Sequence, residues 1–309
     1  KICFFAISVK SIHANKTMSA NQFDQCPICA SVDLEELSAY AKDHLVKCAH
    51  CSFVFSKKIP DSAELIAHYN TYPRGSSISE ITVKRYNELL DKLEKYRKTN
   101  NIIDVGCGDG YFLETARKRN WNVYGTEYTE TALKICQDKG ISMKLGKLNK
   151  SNYGAGFFDV ITSFEVIEHI NNPQEELQNF SYLLRQGGAV YVTTPNFNSA
   201  SRYYLKEKWN IIEYPEHLSY YTQKTLSYLF QQHNFKTVSF ETTGISLSRI
   251  SKSLAKEAGS SANPTVNQDE VLRNKTEHNL FFKLAKKLIN TGLTLFRAGD
   301  TLKGIFVKS

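Results

Sequence analysis

The 309-residue chain carries 39 Lys and Arg against 31 Asp and Glu, a formal net charge of +8, with 41% hydrophobic and 23% charged residues. This balance excludes a mainly disordered or collagen-like chain, and the length fits one large α/β core with a small appended module. No run approaches the roughly eighteen apolar residues that a membrane-crossing helix needs, which predicts a soluble protein. The charge is uneven, since positions 244–309 hold eleven basic and five acidic residues and so contribute +6 of the +8. A basic tail of this kind suits a phosphate-bearing or membrane-surface partner, or simply a solvated face.

Lys1 to Val9 is apolar but short, and no small-residue cleavage site follows it before a polar run, so a cleaved signal peptide is not expected. Met18 is the first methionine, and positions 1–21 read as a leader outside the folded part. Positions 22–58 read as a separate module. Cys26-Pro-Ile-Cys29, eighteen intervening residues and Cys48-Ala-His-Cys51 have the form of a closed, four-thiolate zinc site, in which each C-x2-C turn aims two sulfurs at one ion. Leu34 to Leu37 and the stretch around Lys47, Phe53, Val54 and Phe55 read as short strands, too small to hold a core without the metal. The remaining cysteines, Cys3, Cys107 and Cys136, stand alone, and paired metal ligands rather than disulfides point to the reducing cytoplasm.

Positions 59–98 read as a linker followed by a covering helix from Ser79 to Lys98, with Ile81, Tyr86, Leu89, Leu90, Leu93 and Tyr96 on one face. From position 99 to 309 the chain reads as the main domain. Strands are expected at Ile102–Val105, Asn122–Thr126, Ser142–Leu145, Asp159–Phe164 and Ala189–Thr194, with helices at Tyr111–Arg119, Thr129–Lys139 and Pro173–Arg185 between them. That alternation specifies a mostly parallel sheet with helices on both faces. A helix Thr222–His233 and strands Lys236–Thr243 and Leu302–Val307 complete it, which makes positions 245–299 a helical insertion before the last strand. Within the insertion, 259–267 reads as a mobile loop.

The apolar strand ending at Val105 runs straight into Gly106-Cys107-Gly108-Asp109-Gly110 and a helix, a turn that brings backbone N–H groups close to a ligand. Glu127 follows at the end of the next strand, where a carboxylate accepts hydrogen bonds from ribose hydroxyls. Together these features describe a nucleoside site. The Asp104-Val105-Gly106-Cys107-Gly108 run resembles the first motif of class I S-adenosylmethionine-dependent methyltransferases, whose Rossmann-like fold has a seven-stranded, mostly parallel sheet. Phe158 to Ile170, and Leu183 to Val192, resemble the fourth strand and the turn into the fifth. The resemblance implies S-adenosylmethionine as cofactor, with Gly106, Gly108, Gly110 and Phe164 lining it, Asp104 ordering the loop and Glu127 on the ribose. Where many members place an acidic residue against the adenine, this chain has Gly146-Lys147-Leu148-Asn149, so adenine falls to Leu148 or Asn149.

Glu165, Glu168 and His169 are similar to the Glu-x-x-Glu-His of quinone-pathway O-methyltransferases, which implies a divalent cation such as Mg2+ near the acceptor. A structural helix cap is the other reading. Tyr214-Pro215-Glu216-His217 resembles a segment of zinc-module deoxysugar C-methyltransferases, which implies His217 as general base, supported by Tyr214, with Glu168 and His169 opposite. A packing role for His217 stands beside it. The helix over Leu280 to Phe296 carries an apolar row and is expected to pack on its own domain, with peripheral membrane contact as the alternative. The reading is therefore a methyltransferase for a small-molecule, sugar or glycan acceptor. The alternative is an RNA methyltransferase gripping nucleic acid through the zinc module and basic tail; oligomeric state is left open.

Overall fold

The computed structural model describes residues 22–61, 65, 78–245, 250 and 280–309. The expected leader, most of the linker and the loop at 259–267 lie outside these residues. The N-terminal module contributes three short strands, β1 (Leu34–Glu36), β2 (Leu45–Cys48) and β3 (Val54–Ser56), paired antiparallel in that order. A covering helix α1 (Glu80–Leu93) follows, capped by the Ser79 hydroxyl, which accepts from Thr82 N. It buries Leu89, Leu90 and Leu93, on the predicted apolar face.

The main domain then alternates: β4 (Asn101–Val105), α2 (Tyr111–Lys118), β5 (Asn122–Glu127), α3 (Glu130–Asp138), β6 (Ser142–Leu145), β7 (Phe158–Phe164), α4 (Pro173–Leu183) and β8 (Leu184–Pro195). A short helix α5 (Ala200–Leu205), strand β9 (Ser219–Tyr220), helix α6 (Gln223–Gln231), strand β10 (Phe235–Thr243), helix α7 (Leu280–Leu295) and strand β11 (Thr301–Lys308) complete it. The seven-stranded sheet has the order β10-β11-β8-β7-β4-β5-β6. Pairs from β8 to β6 are parallel, and β11 alone runs against its neighbours β8 and β10. Ile102, Ile103, Val160 and Ile161 are fully buried because a central parallel strand is covered on both faces. Successive strands leave β4 in one direction through β5 and in the other through β7. That reversal opens a crevice at their C-terminal ends.

Asp159 ties the covering segment to the sheet. Its carboxylate accepts from the N–H groups of Lys98, Thr99 and Asn100 at 2.7 Å each and from Arg185 Nε at 2.5 Å. Burial acts to raise this carboxyl, but those donors together hold it below its ordinary range.

Three expectations change. The helix predicted to Arg185 ends at Leu183, and β8 starts at once, because Leu184 pairs with Phe158. The stretch between β8 and Tyr221, to which the sequence assigned no element, contains α5 and β9, and β9 joins the module's sheet beside β3. Of the insertion, α7 docks on β10 through polar groups: Thr294 Oγ1 donates to Thr242 O, and Gly244 N donates to Asn290 Oδ1. Among the described side chains its apolar row does not pack inward as expected, since Leu288, Leu295 and Phe296 are 73%, 76% and 79% exposed. Among the described residues no helix is long and apolar enough to cross a membrane.

Candidate active site

The crevice at the strand ends is built on one side by the glycine loop between β4 and α2. Gly106, Gly108 and Gly110 all have positive φ, at 65°, 55° and 73°. A Cβ on Gly106 would lie 2.7 Å from Val166 Cγ2, and one on Gly110 would lie 2.6 Å from Ile141 Cδ1. Both positions therefore need glycine for conformation and for space. The loop is braced from β5: Gly106 N donates to Thr126 Oγ1 at 3.3 Å, and Gly108 N donates to Glu127 Oε1 at 3.2 Å. Tyr128 N donates to the other Glu127 oxygen at 2.6 Å. Each carboxylate oxygen has two lone pairs, so Glu127 retains capacity for further donors such as ribose hydroxyls.

Asp104 lies beneath the loop at 3% exposure and accepts from Thr162 Oγ1 at 2.7 Å. Burial pushes its carboxyl up to about 8; the Thr162 hydrogen bond opposes this and the Glu127 charge adds to it. A carboxyl raised in the folded state favours folding fully below its unfolded value, near pH 4, and loses that contribution as pH rises through about 8. The ligand-free protein should therefore lose on the order of 6 kcal/mol across that window on account of Asp104. In Asp104→Asn the melting temperature should depend less on pH; parallel curves for the two proteins would refute the assignment.

Leu148 and Asn149, the groups expected to meet adenine, follow the end of β6. Leu148 is fully buried in the core and its carbonyl accepts from Asn179 Nδ2, while the Asn149 side chain caps a short 3-10 turn by accepting from Ser151 N. The Phe164 ring packs edge-on against Phe112 at 5.0 Å and Tyr191 at 5.5 Å.

Across the crevice the chain after β7 meets the segment before β9. Glu168, His169 and His217 each offer a ligand atom, and these atoms lie within 4.8 Å of one another. Glu165 is outside this group; its N–H donates to Thr193 O. Glu168 is 2% exposed and its Oε2 accepts from Thr194 Oγ1 at 2.9 Å. Both imidazoles meet backbone carbonyls through Nδ1: His217 at 2.5 Å from Ile211 O, and His169 at 2.6 Å from Glu216 O. A carbonyl oxygen only accepts, so each Nδ1 carries the proton and, in the neutral ring, each Nε2 presents a lone pair. Sequence reasoning had no access to these carbonyl partners, which are set by chain path. The Tyr214 ring packs edge-on against His44, with centroids 5.2 Å apart, and lies under Lys58 Nζ at 4.7 Å, both from the N-terminal module.

The four module cysteines converge, with Cys26 and Cys51 sulfurs 3.6 Å apart and Cys29 and Cys48 sulfurs 3.5 Å apart. These are edge lengths that suit four thiolates around one tetrahedral ion with bonds of about 2.3 Å. A 470 Å³ open cleft lined by His50, Lys224, Tyr228 and Arg297 lies between this module and α6.

A family described as "Methyltransferase domain" matches residues 79–240. The ubiquinone biosynthesis O-methyltransferase of Nitrosomonas europaea is 28% identical over 134 residues, covering 41% of this chain and 57% of that protein. Its namesake from Colwellia psychrerythraea is 33% identical over 102 residues, covering 31% and 42%. The chain thus spans about half the length of the curated relatives it matches. A SAM dependent methyltransferase from Archaeoglobus fulgidus has a TM-score of 0.51 at 18% identity, over 80% of this chain and 100% of that one. At that identity the likeness bears on the fold alone.

Proposed function

Because 162 of its 309 residues match, the chain belongs to the methyltransferase-domain family, and we propose that it transfers the methyl group of S-adenosylmethionine to a small-molecule acceptor. The observation that carries this reading is the glycine loop braced by Glu127 at the crevice. The fit is physical: a loop of positive-φ glycines that bare its backbone, with a carboxylate beside it, suits a nucleoside and an amino-acid tail. The bound cofactor supplies an already activated methyl group, which leaves the chain to position the acceptor and remove its proton. The Ile211 carbonyl holds His217 in the tautomer whose Nε2 accepts that proton. Thr194 orients Glu168 beside it, and burial of both residues limits competing water. The curated relatives are named O-methyltransferases, which favours an oxygen of the acceptor as the methylated atom.

Zinc in the four-cysteine site has a structural role, since four protein thiolates leave no open position for chemistry. A second reading has a specific observation in its favour. Two imidazoles and one carboxylate converge at Glu168, His169 and His217, a donor set that holds a divalent transition ion better than it holds Mg2+.

Calorimetry with S-adenosylmethionine, S-adenosylhomocysteine and NAD tests the main reading. Binding of NAD in preference to the other two would end it. Glu127→Gln keeps the side-chain shape and removes the charge, so cofactor affinity should weaken by about 2 kcal/mol, one charged hydrogen bond's worth. Unchanged affinity would take Glu127 out of the site.

A further inference from the structure

Two cysteines that methyl transfer does not use lie under the cofactor loop. Cys107 stands between Gly106 and Gly108, and its sulfur is 3.8 Å from the sulfur of Cys136 on α3. The Cys136 thiol also reaches Gly108 O at 3.3 Å. Cys136 is fully buried and Cys107 partly so, which leaves one member of the pair open to a small reagent. The surroundings are tight: a Cβ on Gly110 would lie 2.8 Å from the Cys136 sulfur, and one on Gly125 would lie 2.8 Å from the Cys107 sulfur. A disulfide bond is about 2.05 Å long, so the sulfurs must close by nearly half their separation. One of them sits on the loop itself, and the loop is braced at Gly106 and Gly108 from β5. Closure therefore moves the loop or breaks its braces.

We propose that Cys107 and Cys136 are a modification site at which a peroxide forms a reversible disulfide, and that this bond weakens cofactor binding by displacing the glycine loop. The second half rests on the methyl-transfer reading. In the first step a thiolate attacks a peroxide oxygen; an S–O bond forms, the O–O bond breaks, and the released hydroxide is protonated to water. The second thiol then attacks the sulfenic sulfur; the S–S bond forms, the S–O bond breaks, and hydroxide leaves with the thiol's proton as a second water. Two thiols lose two electrons and two protons, and one peroxide becomes two waters.

Binding and oxidation are linked reciprocally. If the disulfide weakens cofactor affinity tenfold, bound cofactor raises the pair's reduction potential by about 30 mV. The test uses the full chain with its zinc loaded, treated with hydrogen peroxide and then with excess dithiothreitol. Peptide mass mapping should find Cys107 joined to Cys136, lighter by two hydrogens, and S-adenosylhomocysteine affinity should fall about tenfold and recover on reduction. Cys136→Ser, or Cys136→Ala where serine impairs folding, should keep its own untreated affinity after peroxide. Absence of the crosslink overturns the proposal, as does a crosslinked protein with unchanged affinity or a variant that loses affinity like wild type. If reduced wild type ignores S-adenosylhomocysteine, the methyl-transfer reading fails and takes the coupling with it, while the mass map still decides the disulfide.

Discussion

Cys48→Ser should lose its zinc and melt roughly 10 °C below wild type, with turnover reduced and cofactor affinity nearly intact. Structural zinc stabilises a small module by many kcal/mol, and a loss of about 3 to 5 kcal/mol in a chain of this size corresponds to a shift of that order. The loss reaches beyond the module because the cysteines belong to a shared core. Cys26, Cys48 and Phe53 pack in one buried cluster with Val105, Ile161 and Tyr221 of the main domain. β3 pairs with β9, and two backbone bonds run on from it: Ser56 N donates to Leu218 O, and Leu218 N donates to Glu168 O, each at 2.8 Å. Release of β3 therefore loosens Glu168 and the acceptor side. The glycine loop takes its braces from Thr126 and Glu127 on β5, so cofactor affinity should stay within about threefold, less than one hydrogen bond. Metal analysis, melting and calorimetry decide this together. A full zinc equivalent in the variant would contradict the ligand set; a zinc-free protein with wild-type turnover would contradict the link through Leu218.

The parts of this architecture that were legible are those with local physical causes. A C-x2-C turn and an apolar strand running into spaced glycines announce themselves within ten residues, and the alternation from β4 to β8 has a period that either element type must obey. β9 had no such signal. It is two residues long and exists because Val54 and Phe55 lie opposite Tyr220 and Ser219, about 165 residues away in sequence. The partners of His169 and His217 are backbone carbonyls, which carry no residue identity at all. The apolar row of α7 shows the converse failure. Its helical period correctly implied a helix, but period alone does not say what covers it, and its contacts to β10 run through Thr294 and Asn290 instead.

His217→Ala should lower turnover by roughly 100-fold or more while leaving cofactor affinity intact, the usual contribution of a positioned general base. The argument now rests on geometry more than on residue type. His217 is 9% exposed, and its Nδ1 proton is held by the Ile211 carbonyl, so a proton taken up by the neutral ring goes to Nε2. His169 is held in the same tautomer by Glu216 O, and its ring centroid lies 4.8 Å from that of His217. Loss of the ring also strands a buried carbonyl, at a cost of about 1 to 3 kcal/mol, so stability falls too and cannot by itself identify the role. His217→Gln separates the effects, because an amide nitrogen donates to a carbonyl but does not act as a base. Restored melting temperature with turnover still down by about 100-fold supports catalysis. Restored turnover would reduce His217 to a structural residue. Chelation distinguishes the cation reading: if chelator abolishes wild-type turnover and a divalent transition ion restores it, Glu168, His169 and His217 act as ligands and the proton passes to another group.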